Sequence, residues 1–86
     1  MSVTAQVSVY PLGQESFIPA IDAAIAALHE SGLEVRVGPL STLISGEEEA
    51  VFRALRQAFC VAAGHGATVM VATVTNACPA GTITAA

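Results

Sequence analysis

The sequence predicts an α+β domain of the ferredoxin-like type: βαββαβ, a four-stranded antiparallel sheet with two helices on one face. Three observations predict it. Six periodic segments follow one another in that order, separated by turn residues. Their apolar period switches between two residues and about 3.6. The 86 residues leave room for one core only. Two right-handed crossovers then place both helices on the same face of the sheet. The domain is expected to span residues 1–86, with a core at about 2–79 and a short uncharged tail at 80–86.

The first strand is the clearest element. From Val3 to Tyr10, Val3, Ala5, Val7 and Val9 alternate with Thr4, Gln6, Ser8 and Tyr10, the period of a half-buried strand. Pro11-Leu12-Gly13 ends it. A helix follows over Ser16 to Ser31. Ser16 is placed to cap it, Pro19 falls in the first turn, and Gly32 stops it. Ile18, Ile21, Ile25 and Leu28 form its apolar stripe.

Leu33 to Val37 alternates again, and Gly38-Pro39 interrupts it. Leu40 to Ser45 resumes, with Leu40, Thr42 and Ile44 on one face. Ser45 and Glu48 have the spacing of a capping box for the second helix. Val51, Phe52, Leu55, Phe59 and Ala62 line one side of that helix. The last strand, Ala67 to Thr75, is apolar on both faces. Met70, Ala72, Val74 and Asn76 are assigned to the face away from the helices, beside Thr4, Gln6, Ser8 and Tyr10.

Composition bears on partners. Hydrophobic residues make up 53% of the chain and charged residues 12%, about half the share of charge usual in a soluble domain. So small a core cannot enclose that many apolar side chains, and a homo-oligomer is expected to cover the surplus. The net charge is −4, with three arginines and no lysine, so no nucleic acid is expected to bind. The uncharged stretch from Gly66 to Ala86 contains glycines, a proline, Asn76 and five threonines. It reads as strand and loop rather than a membrane span. The N-terminal residues lack the pattern of a signal peptide, and the expected compartment is the cytoplasm.

The catalytic inventory is nearly empty. His29 sits near the negative end of the first helix, where it complements the dipole. His65 lies between Gly64 and Gly66 with no metal-ligand spacing around it. Glu47, Glu48 and Glu49 suit the positive end of the second helix. Cys60 reads as a packing residue, and Cys78 lacks an evident base. No metal, no cofactor and no catalytic residue is expected. What remains is a set of hydroxyls and an amide near strand ends: Ser8, Tyr10, Ser41, Thr42, Thr73, Thr75 and Asn76. Such groups donate and accept, which suits a neutral heteroaromatic ring. Ordinary strand-end and turn chemistry accounts for the same residues.

Three blocks, Val7-Ser8-Val9-Tyr10-Pro11-Leu12-Gly13, Val37-Gly38-Pro39-Leu40-Ser41-Thr42 and Thr75-Asn76-Ala77-Cys78-Pro79, resemble the signature blocks of the YkoF-related thiamine-binding protein family. The likeness runs from about Ser2 to Pro79. It implies a non-enzymatic binder of thiamine or its hydroxymethylpyrimidine moiety, built as dimers or tetramers. Carried onto this chain, it implies Ser8, Tyr10, Gly38, Ser41, Thr42 and Asn76 as ligand-facing residues. The alternatives are a structural or regulatory protein-interaction module, and a small-molecule enzyme using Cys78 or His65.

Overall fold

The computed structural model describes residues 1–13 and 15–77. Six elements appear in the expected order: β1 (Ser2–Pro11), α1 (Ile18–Glu30), β2 (Glu34–Val37), β3 (Thr42–Glu47), α2 (Glu48–Ala63) and β4 (Thr68–Thr75). The strands form one antiparallel sheet, ordered β2-β3-β1-β4. The predicted ferredoxin-like fold is therefore the observed one. Both helices cover the face that carries Val3, Ala5 and Val7. Cys78, Pro79 and the tail at 80–86 lie outside the described residues.

The core is built from small residues, which the sequence reading did not foresee. Ala20, Ala24, Ala27 and Leu28 are the buried residues of α1. Val51, Ala54, Leu55, Ala58 and Ala62 are those of α2. Alanines let the two helices approach each other and the sheet closely. The larger side chains are displaced to the flanks: Ile21 and Ile25 are half-buried and Ile18 is exposed. Phe52, placed in the predicted stripe of α2, is 54% exposed, and Phe59 is also exposed.

The helix starts also differ from expectation. Phe17, not Ser16, precedes α1, and no side chain caps it. Strand β3 runs on to Glu47, so Ser45 lies inside the sheet instead of capping α2. Its hydroxyl donates to the Val3 carbonyl at 3.3 Å and accepts from the Thr4 hydroxyl at 3.3 Å. The first N–H of α2, on Glu48, donates instead to the Met1 carbonyl at 2.9 Å. The Met1 amine holds the Glu47 carboxylate at 3.0 Å. That hydrogen bond and the Glu47 charge raise the pKa of the amine. At the other end of α1, Gly32 has φ +78, a conformation that favours glycine and marks the predicted stop.

The register corrects one face assignment. Val9 pairs with Met70, Val7 with Ala72 and Ala5 with Val74. Directly opposed residues share a face, so Met70, Ala72 and Val74 lie on the helix side. Met70 and Val74 pack against the core. The open face instead carries Val69, Val71, Thr73 and Thr75 beside Tyr10, Ser8, Gln6 and Thr4. Alternation alone could not choose between the two faces, because β4 is apolar on both. Among the described residues, no helix is long and apolar enough to cross a membrane.

Candidate functional site

Strand β1 has ten residues and β3 has six. Their pairing runs from Ser2–Glu47 to Val7–Thr42 and stops there. Beyond it, β1 continues to Pro11 paired with β4 alone, while the β2–β3 connection turns away through Gly38-Pro39-Leu40-Ser41. The sheet is therefore open between the end of β1 and this turn.

A cavity of about 140 Å³ occupies the opening. The α1 residues Ile21, Ala24, Ile25 and Leu28 wall it on the helix side, with Val9 and Val37 from the sheet. Ser8, Tyr10, Gly38, Leu40 and Ser41 form its rim, and Thr42 lines it where the β1–β3 pairing ends. Thr42 pairs with Val7 and Val37, which turns its side chain toward the helices. It is only 7% exposed. Among the described residues, no fully buried polar side-chain atom lacks a hydrogen-bond partner. Thr42 thus brings a hydroxyl to the cavity lining on a nearly buried residue. Among the described residues, no Asp, Glu, Lys, Arg, His or Cys lines the cavity.

The rim is held by two side-chain hydrogen bonds. The Ser8 hydroxyl donates to the Leu40 carbonyl at 3.3 Å, and the Gln6 amide donates to the Ser41 hydroxyl at 3.1 Å. Within the turn, the Gly38 N–H donates to the Ser41 carbonyl at 2.9 Å. A Cβ at Gly38 would stand 2.9 Å from that same carbonyl oxygen, so the turn closes only around a glycine. Leu40 projects from the tip, 89% exposed, rather than pointing inward as the third member of a strand face.

Five of the six predicted site residues thus meet at one opening: Ser8, Tyr10, Gly38, Ser41 and Thr42. Asn76 does not join them. Thr75 pairs with Thr4, so Asn76 follows at the other end of the sheet, where its amide reaches the Met1 sulfur at 3.4 Å. Strand rise and spacing separate Asn76 from Thr42 by roughly 15 Å within one chain. One ring edge cannot span both. The polar-residue reading missed Ile21 and Ile25 as walls, Leu40 at the rim, and Val9 as a backbone neighbour of the opening. The unequal lengths of the first and third strands were the available signal.

Among the described residues, depressions also lie beside Glu48, Glu49, Phe52 and Arg53, and between the helices around Ala27, Glu30 and Gln57. Neither contains a predicted site residue. Among the described residues, no group of three or more His, Cys, Asp and Glu could hold a metal ion. His29 is exposed in the last turn of α1 and His65 in the turn before β4.

A family model described as thiamine-binding protein matches residues 5–76. No curated protein matches the sequence significantly. Solved structures share the fold. A Streptococcus pneumoniae protein superposes with a TM-score of 0.81 at 27% identity, covering 87% of this chain and 86% of its own. A hypothetical protein of Methanocaldococcus jannascii gives 0.80 at 22% identity, covering 87% and 79%. A Thermotoga maritima protein proposed to act in thiamine biosynthesis or salvage gives 0.76 at 22% identity, covering 86% and 82%.

Proposed function

The chain belongs to the thiamine-binding protein family, and we propose that it is a non-enzymatic binder that takes the hydroxymethylpyrimidine ring of thiamine into the opening between β1 and the β2–β3 turn. The observation that carries this reading is Thr42, a nearly buried residue that brings a hydroxyl to a lining that is aliphatic on its helix side, at Ile21, Ile25 and Leu28. A flat neutral ring with polar edges fits such walls. The positively charged thiazolium stays at the rim, where the protein's net charge of −4 does not oppose it.

Binding is favoured over catalysis by the lining itself. Among the described residues Tyr10 is the single ionisable side chain there, and no base among them stands beside a nucleophile. The same reading has the chain act as carrier, buffer or sensor in the cytoplasm, with no bound cofactor. It also has the chain self-associate as a dimer or tetramer. The open sheet face supports this, since Tyr10, Val69 and Val71 are exposed there side by side. That apolar row equally favours a second reading, a module that docks another protein.

Calorimetric titration tests the proposal. Thiamine and hydroxymethylpyrimidine are expected to bind with dissociation constants on the order of micromolar. ATP and DNA are expected not to bind. A folded protein that gives no heat with either thiamine or hydroxymethylpyrimidine would overturn it.

A further inference from the structure

We propose that the main chain of Val9 is the element that reads the ring: its N–H and C=O together form an open strand edge, complementary to a heteroaromatic edge in which a ring nitrogen adjoins an amino group. This inference rests on the reading of the opening as the ligand site.

The direction of the Val9 groups follows from the hydrogen bonds around it. The Leu12 N–H donates to the Ala67 carbonyl at 2.8 Å, one residue beyond the Pro11–Thr68 pair. In an antiparallel pair, alternate residues exchange both bonds with the partner strand, and the residues between them face the other way. Tyr10 and Ser8 therefore bond to β4, whereas Pro11, Val9 and Val7 face β3. Two other contacts agree. The carbonyls of Val3 and Met1, which share this parity, accept from the Ser45 hydroxyl and the Glu48 N–H on the β3 side.

Val7 meets Thr42 in that direction. Val9 should next meet Leu40, and no such pair forms. The Leu40 carbonyl accepts from the Ser8 hydroxyl instead. The Val9 N–H and C=O are left aimed into the opening, which Val9 lines. Val9 is half-buried, backbone groups out of reach of bulk water need partners, and among the described residues no strand pairs with these two. Pro11, the next residue of this parity, has no N–H to offer.

The chemistry of the complement is specific. An extended residue projects its N–H and C=O side by side from one edge of the strand. A ring nitrogen accepts from the N–H while the adjacent amino group donates to the C=O. The ring then lies in the plane of the sheet and continues the ladder from the Val7–Thr42 rung, as an added strand does. Ile21, Ile25 and Leu28 cover one of its faces. A ring bearing an oxo group and a ring N–H, held in the same orientation by its substituents, presents the opposite pattern and faces both Val9 groups with like partners. It can pair with them only by turning over, which moves those substituents to the other side.

Amide-resolved hydrogen exchange on the full chain tests this, with hydroxymethylpyrimidine, thiamine and oxythiamine as probes. In the free protein, the Val9 amide is expected to exchange at least tenfold faster than those of Ala5 and Val7. Hydroxymethylpyrimidine or thiamine should slow it at least tenfold, and oxythiamine should bind at least tenfold more weakly than thiamine. A Val9 amide already as protected as Val7 overturns the inference. So does thiamine binding without added protection at Val9, which would leave the family reading intact. Protection by hydroxymethylpyrimidine without thiamine binding would support the ring-reading edge and discard thiamine as the ligand. No protection by any of the three probes would discard the edge as well.

Discussion

Val7 and Thr42 form the last rung between β1 and β3, and past them the sheet parts beside the cavity that both residues line. The rung is thus both a piece of the fold and an edge of the candidate site. Thr42 presents its backbone to the ladder and its hydroxyl to the cavity.

Thr42→Val keeps the shape and removes the hydroxyl. Losing one such hydrogen bond leaves its partner unsatisfied and costs roughly 1–3 kcal/mol. Thiamine affinity is expected to fall about tenfold, with the melting temperature unchanged or slightly raised. Thr42→Ser should restore binding. Calorimetry and thermal melts on the same proteins check this, and equal affinity in a folded Thr42→Val protein would remove the hydroxyl from the site.

Gly38→Ala tests the turn. Its Cβ would meet the Ser41 carbonyl oxygen at 2.9 Å, a backbone atom that can give way only by moving the turn. Crowding of this kind costs roughly 1–3 kcal/mol. The rim residues Leu40 and Ser41 shift with the turn, so affinity for hydroxymethylpyrimidine should fall together with the melting temperature.

The alanine core is tested by a pair of substitutions. Ala58 is fully buried between helix and sheet, and Ala58→Leu should cost about 1–3 kcal/mol by overpacking. Phe52→Ala, on an exposed flank, should change the stability of a single chain by no more than about 0.5 kcal/mol. Thermal melts at low protein concentration separate the two. A stripe centred on Phe52 and Phe59 would give the reverse order.

Self-association is tested on the two faces of β4. Val71 is 53% exposed on the open face, and Val71→Lys should weaken assembly while each chain stays folded. Val74 packs against the core from the helix side, so Val74→Lys should lower stability first, because a charge would be buried without a partner. Sedimentation velocity with parallel melts distinguishes these outcomes. A wild-type chain that stays monomeric at micromolar concentration would refute assembly.

What was legible in the sequence was local. Strict alternation over Val3–Tyr10 set both faces of β1, because side chains alternate across a strand whatever surrounds it. Pro11, Gly32 and Gly38 marked ends and turns through their own backbone preferences. The order of six elements led to the fold, and three short blocks led to the family and to Ser8, Tyr10, Gly38, Ser41 and Thr42. Tertiary structure decided the rest. Which helical face is buried depended on how closely α1 and α2 approach, and close approach selected alanines over Phe52 and Ile18. Which face of β4 meets the helices depended on register with β1, since a two-sided apolar strand carries no preference of its own. The parting of the sheet depended on two strands of unequal length meeting far apart in sequence. Asn76 shows the same limit: residue type made it a candidate, and antiparallel pairing carried it to the opposite end of the sheet.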